Sequence, residues 1–311
     1  MPSKPILSTP KPHEAKPYVG RFAPSPTGPL HMGSLVCALA SYLDAKAHHG
    51  KWLLRIEDID KPREQAGASE AIIHALLTHG LHWDDSLTYQ SHNSQRYDKV
   101  LTFLQDMQMS YRCSCTRKRL TKFNPGYDGY CKNRNISEET PHALRLDLHT
   151  ASKRLEICET INVIDRIQAP LNENLSERGD FMIRRKDGLY SYHLAVVVDD
   201  IDQCITDVVR GNDLHDCTPH QIFLTQTLGE SAVRYAHIPV ICFNDGKKLS
   251  KQHHAPAIEP ENAAENLYEA LRLLQLAPPT ELGSASIETI LSWGIEHWQT
   301  QQLNEKPNII I

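Results

Sequence analysis

Residues 21–34 constrain the fold more than any other part of this 311-residue chain. A short β-type run, residues 18–22, leads into a loop with three prolines, a glycine and two hydroxyl residues, which neither a helix nor an inner strand tolerates. An apolar run with helical spacing, residues 35–43, follows the loop. In α/β folds, this order of strand, rigid loop and helix binds ligand phosphates at the helix N-terminus.

A second segment, far along the chain, is suited to complete such a phosphate site. Lys248 and Lys251 lie in a loop after a predicted buried strand at 237–243, and His31 lies at the predicted start of the first helix. Nucleotidyl transfer needs positioning and charge stabilisation at phosphorus more than covalent work by the protein. Taken singly, these residues have ordinary interpretations: His31 is a histidine whose hydrogen bonds are made within the protein, and the lysines lie in a solvent-exposed turn. Together they predict a nucleotide site, and the lack of Walker A and G-x-G-x-x-G motifs disfavours the common alternatives.

Composition narrows the class of protein further. Lysine and arginine number 33 against 38 acidic residues, so the net charge is −5 and any contact with nucleic acid needs a local basic patch. No apolar run is long enough to span a membrane. Residues 1–17 lack the apolar core of a secretory signal, so we expect a flexible tail there. Most of the eight cysteines are scattered, which favours a reduced, cytoplasmic protein over a disulfide framework.

Hydrophobic periodicity predicts an α/β chain with a doubly wound parallel sheet that an insertion divides. Residues 18–110 and 181–255 form the two predicted halves of the sheet domain, and residues 111–180 form a small inserted α+β domain. Residues 256–311 are predicted to form a short helical region. The predicted helices beyond the first include four segments: 66–81, 95–107, 260–276 and 286–298.

Three cysteines crowd into one short window of the insertion. Cys113, Cys115 and Cys131 lie within 19 residues, a density that indicates one structural zinc ion. No histidine lies between Cys115 and Cys131, so the spacing alone leaves the fourth ligand open, and three free cysteines are the alternative. The window is also basic, with Phe123, Tyr127 and Tyr130 interleaved, which suits an RNA backbone or simply a solvated loop.

Four ordered motifs resemble those of a known enzyme family. Residues 22–34 resemble the HIGH signature of class I aminoacyl-tRNA synthetases in its glutamyl form, and residues 248–252 resemble their KMSKS signature. Residues 55–60 and 208–214 match the same subgroup. The resemblance implies a Rossmann-like class I synthetase catalytic domain with an inserted zinc-containing domain. Ser34 and Gln252 depart from the two signatures, but His31 and Lys251 do not.

Within that family, the chain is most similar to a subfamily that consists of the catalytic part alone. About two predicted helices follow the second signature, and we expect no anticodon-binding domain. This resemblance implies activation of L-glutamate with ATP and Mg²⁺, without tRNA, and then transfer of the glutamate to the cyclopentenediol of queuosine in tRNA(Asp). We expect a monomer. The alternatives are a truncated glutamate–tRNA ligase that charges tRNA(Glu), and a catalytically silent RNA- or metal-binding paralogue.

The resemblance also assigns roles to individual residues. Arg21 and Arg210 would hold the side-chain carboxylate of glutamate with Tyr192, and Glu57 would pair with the ammonium group. The loop residues of the glutamate site are Phe22, Ala23, Pro24 and Ser25. The catalytic residues would be His31 and Lys251, and the ATP site would comprise His31, Gly33, Ser34, Lys248 and Lys251. Tyr127 would be the fourth zinc ligand, with His142 or water as the alternative. Without the motifs, Arg21 and Glu57 are interpreted as an ordinary ion pair and Tyr192 as core packing.

Overall fold

The computed structural model describes residues 17–123, 126–243, 248–249, 256–303 and 306–310. The predicted Lys251 and Gln252 lie outside these ranges. The strands are β1 Val19–Phe22, β2 Lys51–Ile56, β3 Thr88–Tyr89, β4 Ser110–Cys113, β5 Ala143–Leu146, β6 Thr160–Val163, β7 Leu171–Asn174, β8 Met182–Arg184, β9 Asp207–Gly211, β10 Arg234–Ile238, β11 Val240–Cys242 and β12 Asn308–Ile310.

Helices alternate with the strands along most of the chain. They are α1 Met32–Ala47, α2 Ala68–Thr78, α3 Ser94–Asp106, α4 Arg117–Leu120, α5 Leu148–Leu155, α6 Leu175–Arg178, α7 Tyr192–Asp202, α8 Thr218–Thr227, α9 Ala263–Leu273 and α10 Ile287–His297. Within the described ranges, no helix combines the length and the apolar character that a membrane crossing requires. The four helices expected at 66–81, 95–107, 260–276 and 286–298 are confirmed as α2, α3, α9 and α10, each somewhat shorter or shifted at its ends.

A parallel layer of strands carries the fold, as the sequence predicts. β1 pairs with β2, β2 with β3, and β9 with β10, all in parallel. The Thr206 amide, just before β9, donates to the Val19 carbonyl of β1 at 2.9 Å and joins the two groups of strands. The carboxyl ends of β1, β2, β9 and β10 therefore point the same way, which is the edge where open α/β sheets bind ligands.

Alternation along the strands divides the core into two clusters. Trp52, Leu54 and Ile56 of β2 pack with α1, α2, α9 and α10, whereas Leu53 packs with α3, α7 and α8. Successive strand side chains point to opposite faces, so helices cover both faces of the parallel layer. Arg55 has the parity of Leu53 and is 1 % exposed, so its charge lies beneath the α7 side of the sheet.

Antiparallel strands occupy the middle of the chain. β5 pairs with β4 and β8, and β6 pairs with β7. The prediction of a single strand at 237–243 is wrong in one respect, because the segment divides at Pro239 into β10 and β11. Proline has no N–H group to donate to a sheet ladder. The chain changes partner there, since β10 pairs with β9 and β11 pairs with β12.

One buried carboxylate ties distant parts of the chain together. Asp44 of α1 is fully buried and accepts a hydrogen bond from the Trp298 indole at 2.8 Å. The Tyr18 hydroxyl and the Arg166 guanidinium also donate to it. The Asp44 carboxylate therefore accepts hydrogen bonds from three distant parts of the chain: the residues before β1, the antiparallel region and the end of α10.

We expect Asp44→Ala to lower the free energy of unfolding by about 3–5 kcal/mol, because it leaves a partly buried cation and two buried donors without their acceptor. Urea unfolding measures this loss. Asp106→Ala, at an exposed carboxylate at the end of α3, is the matched control and should change stability by about 0.5 kcal/mol or less. Equal losses in the two variants would contradict the importance of Asp44.

Candidate active site

A cavity of about 560 Å³ opens at the carboxyl ends of β1, β2, β9 and β10. It collects side chains from the loop after β1, the first turn of α1, and residues at or just beyond the ends of the other strands. Every described residue to which the sequence assigns glutamate or ATP lines it: Arg21, Phe22, Ala23, Pro24, Ser25, His31, Gly33, Ser34, Glu57, Tyr192, Arg210 and Lys248. Residues separated by more than 200 positions thus share one cavity, and their individual roles stay predictions.

His31 begins the first helix. It is the N-cap of α1, and its Nδ1 accepts a hydrogen bond from the Ser34 amide at 3.2 Å. Its Nε2 lies 3.0 Å from the Ser34 hydroxyl. Because Nδ1 accepts, the proton of a neutral ring lies on Nε2. The side chain that replaces the last histidine of the signature, Ser34, therefore orients the imidazole that is predicted to meet a phosphate.

The two signature segments approach each other closely at Gly33. A β-carbon at this position would lie 3.2 Å from the Leu249 carbonyl oxygen and 3.1 Å from the His31 ring, so only glycine fits without displacement. Lys248 lies beside Leu249, and its ammonium group forms an ion pair with Asp213 at 2.6 Å. The structure therefore places the start of the second signature against the first helix of the chain. Sequence reasoning assigned no role to Asp213.

Opposite charges are densely packed beneath the cavity. Asp200 of α7 receives Arg55 at 2.7 Å and Arg21 at 3.3 Å, and Arg55 also lies 3.6 Å from Glu57. Burial raises the pKa of Asp200, but the two guanidinium groups outweigh it and the net shift is downward. Arg21 is thus paired with a protein carboxylate, Asp200, which sequence reasoning missed. Two adjacent aspartates at the end of an apolar helix were the available signal.

Glu57 is the most perturbed carboxyl group of the cavity. Burial raises its pKa to about 7, although Arg55 and Arg21 favour the ionised form. Its side chain lines the cavity directly after β2. A buried carboxyl group with this pKa gains a counter-charge when a cationic group enters, which fits an ammonium ligand.

Arg210 differs from Arg21 and Arg55, the buried arginines that pair with carboxylates beneath the cavity. It is 3 % exposed, and its guanidinium donates to four neutral acceptors: His237 Nε2, Gln221 Oε1, the Leu214 carbonyl and Thr218 Oγ1, at 3.0, 2.7, 3.3 and 2.8 Å. Among the described residues, no carboxylate forms an ion pair with it. The cavity therefore contains a buried cation whose N–H groups are largely hydrogen-bonded but whose positive charge is not balanced by a carboxylate of the described residues.

A second cavity of about 630 Å³ adjoins the first. Ser25, Glu57, Arg63 and Tyr192 line both. From this shared wall the second cavity extends to Tyr127 in the antiparallel region. Charged side chains of both signs line it: Asp60, Arg145, Arg178, Asp180 and Arg185.

The predicted metal ligands lie together in the antiparallel region. The sulfurs of Cys113, Cys115 and Cys131 lie within 4.8 Å of one another, with Cys115 and Cys131 at 3.5 Å. The Tyr127 hydroxyl lies 3.4 Å from the Cys113 sulfur and 3.8 Å from that of Cys115. Two thiolates on one tetrahedral zinc ion are about 3.8 Å apart, given Zn–S bonds of about 2.3 Å, so the donor set fits.

Of these four side chains, Tyr127 is the least suited to binding zinc, because its hydroxyl must lose a proton to become a strong ligand. Burial raises the pKa of its hydroxyl above the ordinary value, so a phenolate there needs a strong positive charge beside it. The guanidinium of Arg145 stacks 3.7 Å from the centre of its ring. His142, the alternative ligand, is half-buried, bonds the Thr140 carbonyl through Nδ1, and is not part of the cysteine cluster.

Three of the seven basic residues in the window around the cysteines are paired with carboxylates of the protein. Arg112 contacts Glu138, Arg119 contacts Asp128, and Lys132 lies 2.6 Å from Asp147. The guanidinium of Arg119 also stacks on the Tyr130 ring at 3.8 Å. The other four basic residues form no ion pair within the described part of the chain, so the solvated loop and the RNA-binding patch both stay open as interpretations.

The fold and cavity correspond to a defined class of enzyme. The family model for the catalytic domain of class I tRNA synthetases (E and Q) matches residues 18–277. Among solved structures, the glutamate–tRNA synthetase of Elizabethkingia anophelis superposes with a TM-score of 0.76 at 23% identity, over 95% of this chain and 68% of that one. The glutamate tRNA ligase of Elizabethkingia meningosepticum gives the same TM-score at 24% identity. These two likenesses concern the fold.

Relatives of higher identity narrow the family. The glutamyl-Q tRNA(Asp) synthetase of Pseudomonas fluorescens is 46% identical over 90% of this chain and 92% of its own length. That of Vibrio parahaemolyticus is 46% identical over 92% of this chain and 94% of its own. The chain therefore belongs to the glutamyl-Q tRNA(Asp) synthetase family, and it is an ATP-dependent ligase of the class I aminoacyl-tRNA synthetases.

Glu57 gives this site a testable pH dependence. Its pKa rises from 4.5 to about 7 on folding, so between these values the folded protein keeps a proton that the unfolded chain releases. The free energy of unfolding should therefore fall as the pH rises through this window. Glu57→Gln cannot ionise, so its stability relative to the wild type should increase by roughly 3 kcal/mol between pH 4 and pH 8.

Urea unfolding at intervals across this pH range measures the difference. Glu70→Gln, at an exposed carboxylate in the first turn of α2, is the control and should follow the wild type throughout. A constant difference between Glu57→Gln and the wild type would show that Glu57 titrates normally.

Proposed function

We propose that the chain activates L-glutamate with ATP, without requiring tRNA, and transfers the glutamyl group to the cyclopentenediol of queuosine at the wobble position of tRNA(Asp). The observation that carries the amino acid assignment is Arg210, a buried cation with neutral partners in a cavity formed by both synthetase signatures. The acceptor assignment is supported by relatives named glutamyl-Q tRNA(Asp) synthetase that match over at least nine tenths of the chain.

The ends of glutamate fit the charges of the cavity. Its side-chain carboxylate would meet Arg210, with the Tyr192 hydroxyl as a further donor, because a buried guanidinium lacking a counter-charge favours an anion. Its ammonium group would meet Glu57, which then ionises fully. Arg21 contributes positive potential while it remains paired with Asp200. The loop of Phe22, Ala23, Pro24 and Ser25 would form the adjacent wall.

The nucleotide would lie along the first turn of α1. A free oxygen of the glutamate α-carboxylate attacks the α-phosphorus of ATP, the bond to the bridging oxygen breaks, and pyrophosphate leaves. The Gly33 amide in the first turn of α1 would stabilise charge on the phosphate, together with His31 once its Nε2–H exchanges the Ser34 hydroxyl for a phosphate oxygen. Lys248, and Lys251 outside the described residues, would neutralise the pyrophosphate. Mg²⁺ accompanies ATP and would neutralise phosphate charge, and we assign it no protein ligand.

The second cavity would admit the acceptor nucleoside. It shares Ser25, Glu57, Arg63 and Tyr192 with the adenylate cavity, so a hydroxyl entering through it reaches the glutamyl carbonyl. That hydroxyl attacks the carbonyl carbon, an ester bond forms, and AMP leaves as the mixed anhydride breaks. The hydroxyl proton passes to the departing phosphate or to water.

Incubation with ATP and labelled glutamate tests the acceptor. We expect label on tRNA(Asp) that contains queuosine, and none on the same tRNA with unmodified guanosine, because only queuosine supplies the cyclopentenediol. Mild alkali should release the label, as it does from an ester. Separately, glutamate-dependent exchange of pyrophosphate into ATP should proceed without any tRNA.

Two outcomes would overturn this assignment. Label on tRNA(Glu), and none on queuosine-containing tRNA(Asp), would identify a truncated glutamate–tRNA ligase. An absence of pyrophosphate exchange in the full-length wild-type protein would identify a catalytically silent paralogue.

We also propose that Cys113, Cys115, Cys131 and Tyr127 hold one structural zinc ion. The sulfur separations support it, and the set lies in the antiparallel region rather than in the adenylate cavity. The metal would cross-link β4 to the segment before β5.

Cys131→Ser should reduce zinc from about one ion per chain to a small fraction of that, because two thiolates and a phenol bind zinc much more weakly than three thiolates do. Elemental analysis of the purified protein measures the content, and thermal unfolding with and without a chelator measures the linked stability. Cys158→Ser, at an exposed cysteine outside the cluster, is the control. Wild-type protein that contains no zinc after growth in zinc-supplemented medium would contradict the proposal.

A further inference from the structure

The parallel register of two strands places a histidine beside the buried arginine of the site. Arg210 of β9 pairs with His237 of β10, so both side chains lie on the same face of the sheet. His237 is fully buried, and its Nε2 lies 3.0 Å from the Arg210 Nε. The guanidinium can only donate, so Nε2 must accept and the ring proton must lie on Nδ1.

A fixed carboxylate stabilises this tautomer. His237 Nδ1 lies 2.5 Å from Asp165 Oδ2, where its proton is donated. The other oxygen, Asp165 Oδ1, accepts the amides of Ile167, Gln168 and His237 at 2.9, 2.9 and 3.1 Å. Burial lowers the pKa of His237 to about 4, so the ring is neutral at physiological pH. Asp165, His237 and Arg210 therefore form a directed chain of hydrogen bonds.

The same residues do not suit a metal ion. Asp165, His215 and His237 have ligand atoms within 4.8 Å of one another. Both ring nitrogens of His237 are already engaged, however, and one of them faces the Arg210 cation. A metal ion on Nε2 would displace that hydrogen bond and meet a positive charge at close range.

We propose that Asp165 and His237 are positioning residues that orient Arg210 for the side-chain carboxylate of glutamate and thereby set the preference for glutamate over glutamine. This inference rests on the proposed function, because it assumes that Arg210 binds the substrate. A carboxylate directly on Arg210 would orient it equally well but would compete with the substrate for its charge. A neutral imidazole between Asp165 and Arg210 fixes the geometry and leaves the positive charge to the ligand.

Asp165→Asn tests the relay with almost no change of shape. The three amides on Oδ1 keep the carbonyl of the new side chain in place, so its NH₂ group faces His237 Nδ1. The ring proton then moves to Nε2, where it points at the N–H of Arg210, so two donors face each other and the hydrogen bond between them is lost. In pyrophosphate exchange, we expect the KM for glutamate to rise roughly 10- to 100-fold, the KM for ATP to stay unchanged, and the discrimination against glutamine to fall.

A second substitution distinguishes orientation from general damage. His237→Gln offers a carbonyl near the former Nε2 and an NH₂ group toward Asp165, so it should largely keep the glutamate affinity. His237→Gln should have a smaller effect than His237→Leu, which has no acceptor. This pair of variants tests the relay even if Asp165→Asn fails to fold.

Two further variants provide the controls. Asp207→Asn changes an equally buried aspartate on the same strand as Arg210, outside the relay, and should leave the KM for glutamate unchanged. Arg210→Gln should raise that KM; if it does not, the proposed glutamate site is wrong. If Arg210→Gln raises it and Asp165→Asn does not, the relay alone is wrong. A parallel rise of both KM values in Asp165→Asn would also overturn the relay, because it would indicate structural damage.

Discussion

The buried, uncompensated charge of Arg210 is the constraint on which the site depends. Removing a guanidinium from water is costly unless its N–H groups are satisfied and its charge is balanced. The protein provides the first condition through His237, Gln221, Thr218 and the Leu214 carbonyl, and no carboxylate of the described residues provides the second. In the proposed function the side-chain carboxylate of glutamate supplies the balancing anion, so substrate binding would complete an electrostatic arrangement that the fold begins.

Glu57 provides the opposite polarity in the same cavity. Its carboxyl group is buried enough that burial outweighs two nearby guanidinium groups and raises its pKa to about 7. An entering cation would restore the ionised form, just as an entering anion would balance Arg210. Arg210 lies at the carboxyl end of β9, and Glu57 lies just beyond the carboxyl end of β2. The parallel sheet therefore fixes the distance between the two charges and the direction in which a ligand dipole would lie between them. A small zwitterion with an additional carboxylate meets both demands.

The sequence predicted the parts of this site that are local in the chain. The proline-rich loop before α1 and the cysteine window are recognisable because their chemistry is concentrated in a few residues. The partners of those parts were not predictable, because they depend on strand register. Asp165 and His237 are 72 residues apart, and nothing near either one indicates that they meet. The pairing of Asp200 with Arg21 across 179 positions has the same origin.

Local context also changed what the predicted residues do. The motif indicates that His31 donates to a phosphate, but the folded chain first uses its ring as a helix cap bonded to Ser34. A capping ring is held in one orientation, and with Nδ1 accepting, its N–H is on Nε2, which faces the Ser34 hydroxyl. The strand expected at 237–243 likewise divided at Pro239, a residue whose missing N–H was visible in the sequence. What the sequence did not show was that another strand, β12, would pair beyond the break.

The proposed zinc site connects to the catalytic region through one wall of the second cavity. The Tyr127 amide donates to the Arg178 carbonyl at 2.8 Å, and a side chain at Gly179, whose φ is +73°, would collide with the Tyr127 carbonyl. Arg178, Gly179 and Asp180 line the second cavity together with Tyr127. A metal that fixes Tyr127 would therefore also fix this wall. We expect that influence to reach the proposed acceptor side of the second cavity. Arg210 and Glu57 are held by the parallel sheet, so a metal at the cysteine cluster would shape the proposed transfer step and spare the proposed activation step.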